Sequence, residues 1–60
     1  MEENVESAAQ KLFDITLNFP KILSLLRAED NEKIKSILEK LEIADKLATE
    51  SYLDLIELID

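Results

Sequence analysis

The chain is expected to be all-α, an antiparallel helical hairpin, on three observations. It has no glycine and one proline in 60 residues, so the turn chemistry that strands need is missing. Its composition is 47% apolar, with eleven leucines and seven isoleucines, and helix-favouring Leu, Glu, Lys and Ala dominate. Apolar residues also recur every seven positions in two runs that one short polar stretch separates. The whole chain, 1–60, reads as a single helical domain: arm one over about 3–28, a turn at about 28–31, and arm two over about 31–59.

In the first arm Val5, Leu12, Phe19 and Leu26 stand seven apart, and Ala8, Ile15 and Ile22 follow the first three by three positions. Together they predict one apolar seam. Glu2, Glu3 and Glu6 complement the positive end of the helix dipole. Pro20 lacks the N–H that would bond the Thr16 carbonyl and disfavours helix at Phe19, so the arm is expected to be bent or broken there. A break would let Asn18 cap a second helix; a kink is favoured because the heptad passes Pro20 without a slip in phase.

The turn is placed at Arg27-Ala28-Glu29-Asp30-Asn31-Glu32, where Asp30 or Asn31 can cap the next helix and tolerate a left-handed backbone. The second seam starts at Ile34, eight residues after Leu26, and continues through Leu41, Ala48 and Leu55, with Ile37, Ala44, Ser51 and Leu58 interleaved. Its weakest points are Thr49 and Ser51; Ser51 with Asp54 is a candidate capping box for a separate last helix.

Two helices bury a strip rather than a core, and with no cysteine for a disulfide, self-association is the expected staple. Leu12, Phe19, Leu26, Ile34, Leu41 and Leu55 are assigned to the intramolecular seam. Apolar residues beyond it point to more neighbours: Phe13 and Leu17 to one side of the first stripe, Leu25 to the other, and a wide patch near the C-terminus that includes Leu47, Tyr52, Ile56, Leu58 and Ile59. Phe13, Leu17, Tyr52, Ile56 and Ile59 are the candidate protein interface, used either in a homodimeric four-helix bundle or with another helical protein. Ile43 and Leu53 stand singly among acids and are lesser candidates.

Net charge is −7, and no cation follows Lys46. Glu50, Asp54 and Glu57 align on one face at spacings of four and three. Like charges at that spacing do not help a helix, so they form a candidate acidic recognition face, besides keeping an apolar helix solvated. The same face supports an alternative in which the chain imitates nucleic acid to inhibit a DNA- or RNA-binding protein. Direct nucleic-acid binding is not expected, because the seven basic residues are scattered among acids.

Catalysis is not expected, and no catalytic residue, cofactor or metal ligand set is assigned. Without Cys or His there is no thiolate, no usual general base and no common transition-metal ligand; Ser7, Ser24, Ser36 and Ser51 lack a histidine to activate them. Paired carboxylates that hydrolyse glycosides need a cleft that two helices do not supply. Glu29, Asp30 and Glu32 lack the central glycine of an EF-hand loop. The acidic start is wrong for a targeting peptide and no apolar run spans a bilayer, so a cytoplasmic setting is expected without membrane contact. The expected function is a small acidic regulator, adaptor or assembly chaperone that binds protein.

Overall fold

A computed structural model describes the backbone of residues 2–59 and the side chains of residues 3–59. Two helices, α1 (Glu2–Arg27) and α2 (Glu32–Ile59), pack against each other as a hairpin. At 1.5 Å per residue each is about 40 Å long, which matches a body of 44 × 15 × 13 Å with the arms antiparallel.

The first helix runs unbroken through Pro20. Asn18, which would cap a second helix at a break, instead donates its side-chain amide to the Asp14 carbonyl at 3.0 Å. Thr16 likewise turns its hydroxyl back on the Phe13 carbonyl, at 2.7 Å. These bonds keep polar side chains satisfied within the turn preceding the proline. Arg27 sits in the last turn, where a cation complements the helix dipole.

The turn closes with the Glu29 N–H donating to the Leu26 carbonyl at 3.0 Å. Asn31 then caps α2: its Oδ1 accepts the Lys33 N–H at 2.8 Å, and its carbonyl accepts the Lys35 N–H at 3.0 Å. Among the described residues none has a positive φ, so this connection needs no glycine. Lys35 reaches back to Glu32 at 3.6 Å and Asp30 at 4.0 Å. The second helix continues through Ser51, whose hydroxyl donates to the Leu47 carbonyl at 2.7 Å rather than starting a new helix.

Only Ala9, Leu23 and Leu38 are buried among the described residues, at 3%, 5% and 8% exposure. Around them Val5, Leu12, Thr16, Phe19 and Leu26 of α1 are half-buried, as are Ile34, Leu41, Asp45, Ala48, Tyr52, Leu55 and Ile59 of α2. The inner face therefore follows an alternating spacing of four and three from Val5 and from Ile34. Leu12, Phe19, Leu26, Ile34, Leu41 and Leu55 lie on it as expected. Their expected companions do not: Ile15, Ile22, Ile37 and Leu58 are exposed large hydrophobics, and Ala8, Ala44 and Ser51 are exposed with them. The physical reason is width. Each helix carries three apolar columns, one neighbour covers two, and the column taken inward brings Leu23, Leu38, Tyr52 and Ile59 to the contact.

Candidate interaction surfaces

Near the open end of the hairpin, α1 and α2 frame an open hollow of ≈ 310 Å³. Glu6, Ala9, Gln10 and Phe13 line it from α1, and Tyr52, Ile56 and Ile59 from α2. Its floor is the ring pair Phe13–Tyr52, with centroids 5.3 Å apart and planes tilted by 39°. A tilted pair at this distance adds about 0.5–1.5 kcal/mol beyond area burial and fixes both rings. Phe13 and Ile56 remain 42% and 37% exposed, while Tyr52 and Ile59 are half-buried between the helices. The hollow can hold an apolar side chain against aromatic and aliphatic walls, with the Glu6 carboxylate among its lining.

Of the five apolar residues assigned from sequence to a protein interface, the structure thus gathers Phe13, Tyr52, Ile56 and Ile59 around one hollow. Leu17 is exposed one helical turn further along α1 and is not part of it. Glu6, Ala9 and Gln10 were missed, although their positions seven, four and three before Phe13 put them on its face.

The acidic residues Glu50, Asp54 and Glu57 are all exposed on α2. None of the ion pairs among the described residues involves them. The pair that joins the two helices, Arg27 to Glu42 at 3.9 Å, lies nearer the turn, with both side chains about half exposed. Such an exposed pair contributes under about 1 kcal/mol. Ile43 sits in a shallow groove with Glu39, Glu42 and Lys46, and Leu53 is exposed. Among the described residues no group of three carboxylates converges as a metal cage requires. Nor, among the described residues, is any helix long and apolar enough to cross a membrane.

These features define a two-helix chain with wide uncovered apolar faces and an acidic flank. Comparison with protein-family models, with curated proteins and with solved structures finds no match for this chain.

Proposed function

We propose that this chain is a non-catalytic protein–protein interaction module that self-associates into a four-helix bundle and offers apolar anchors, flanked by acids, to another helical protein. The observation that carries the reading is exposure. A folded monomer of this mass exposes about 4,000 Å², whereas this hairpin exposes 4955 Å², and among the described residues eleven large hydrophobics are exposed. Large apolar side chains left exposed in continuous rows along both helices mark association surfaces. Within the bundle α1 is bent rather than broken at Pro20, since the proline leaves the Thr16 carbonyl without its usual donor.

In this reading the hollow around Phe13 and Ile56 supplies affinity by burial, and Glu50, Asp54 and Glu57 steer a basic partner. Sedimentation equilibrium over a wide concentration range, with helicity followed on the same samples, tests the self-association. A helical dimer is expected; a well-folded monomer throughout overturns it. For partner binding, Ile56→Asp is expected to be the most damaging single change. Binding that survives Ile56→Asp but collapses with salt and with Glu50→Gln, Asp54→Asn and Glu57→Gln combined means instead that the acidic face imitates a phosphate backbone.

A further inference from the structure

We infer that a second copy of this chain covers the apolar column that the hairpin leaves outside, laid antiparallel so that the two turns lie at opposite ends of the bundle. This rests on the self-association proposed above and adds which side is covered and in which orientation.

The side follows from helix geometry. The Arg27–Glu42 pair and the hollow set residues 6, 13, 27, 42, 52 and 56 on one flank of the hairpin. Ala8 and Ile15 follow Glu6 and Phe13 by two positions, about 200° around the helix, which is the other flank. Ala44 and Leu58 stand in the same relation to Glu42 and Ile56 on α2. With Ile22, Ile37 and Ser51 they make a column, seven residues in all, that carries no charge. The flank with the hollow carries Glu6, Arg27, Lys35 and Glu42 over the same length. Leu25 and Leu47, at 74% and 56% exposure, each lie three residues beyond a column residue and extend its apolar surface, in a bordering row that also holds Lys11, Lys40 and Asp54. A helix apolar in three columns is built for two neighbours, and the hairpin supplies one.

Area fits a second copy as the other. Two separate hairpins expose twice 4955 Å², whereas a compact bundle of the doubled mass exposes about 6,600 Å². The difference, about 3,300 Å², falls inside the range of obligate homodimer interfaces.

Charge chooses the orientation. Residues 3–14 and 47–59, at the open end, hold six acids and one lysine, while residues 15–46, toward the turn, hold six cations and six acids. With turns together, two strongly acidic ends stand side by side at an interaxial distance of about 8–10 Å, close to the Debye length of about 8 Å at physiological salt. With turns opposed, each acidic end meets the neutral end of the other copy.

The full chain has no cysteine, so Ala28→Cys takes a single nitroxide label at the turn and leaves the face intact. In the dimer the two labels are expected about 40 Å apart, the length of the helices; a separation under about 20 Å, two helix diameters, overturns the orientation. Sedimentation equilibrium on Ile22→Glu and Ile37→Glu is expected to show dimerisation weakened at least about 100-fold, because each places a charge in the buried face. Ile56→Glu on the opposite flank is expected to change it less than about 3-fold. A dimer that Ile56→Glu disrupts and Ile22→Glu spares overturns the face while keeping self-association. A wild-type chain that stays monomeric overturns both.

Discussion

At the scale of single residues, Asn31 and Leu38 show what sequence can and cannot announce. Asn31 is a short polar side chain just before an apolar run, and that role is readable because capping is local: its Oδ1 meets the Lys33 N–H two residues on. Asn31→Ala is expected to cost about 1 kcal/mol, read as a lowered midpoint in urea or thermal unfolding. Leu38 was not singled out, although it is one of three side chains buried among the described residues. Its neighbour Ile37 is equally apolar, and nothing local ranks the two. Leu38→Ala is expected to destabilise by about 2 kcal/mol or more, whereas Leu53→Ala stays within about 0.5 kcal/mol. Equal losses for both would mean that α2 presents a different face to α1.

The elements themselves were largely legible. Composition and heptad repeats define two helices and a turn, because helix periodicity survives any choice of neighbour. The continuity of α1 through Pro20 was legible too, in the unslipped phase from Leu12 to Leu26. What the period leaves open is rotation: columns three and four residues beyond Val5 share one repeat, so Ile15 and Thr16 compete for the same seam. The packing partner decides, and a partner is a tertiary fact. At this scale Pro20→Ala is expected to restore the missing donor to Thr16, raising helicity in circular dichroism and stabilising the chain by about 1–3 kcal/mol. No change would mean that the proline fits its local bend without strain.

For the molecule as a whole, the excess of apolar surface was readable from stripe width, but its division between two flanks was not. The hollow around Phe13 and Tyr52 exists only because α1 and α2 meet in one register, so four of its residues were named from sequence without their being known to converge. The charge was plain from the start. Two chains of net charge −7 repel each other, and raising salt from about 0.05 to 0.5 M shortens the Debye length about three-fold. Self-association is therefore expected to tighten with salt in sedimentation equilibrium. Weakening instead would mean that ion pairs, rather than apolar columns, hold the copies together.

The turn has a practical consequence of its own. Residues 28–31 are exposed and lie at the far end of the hairpin from the hollow, which is lined by Glu6 and Ile59. Loop-closure entropy grows only with the logarithm of length, about 0.6 kcal/mol per doubling. An insertion between Glu29 and Asp30, leaving Asn31 beside its helix, is thus tolerated on entropic grounds. A reporter domain can be spliced there, at the far end from the candidate binding surface of the same hairpin, while both original termini stay untouched.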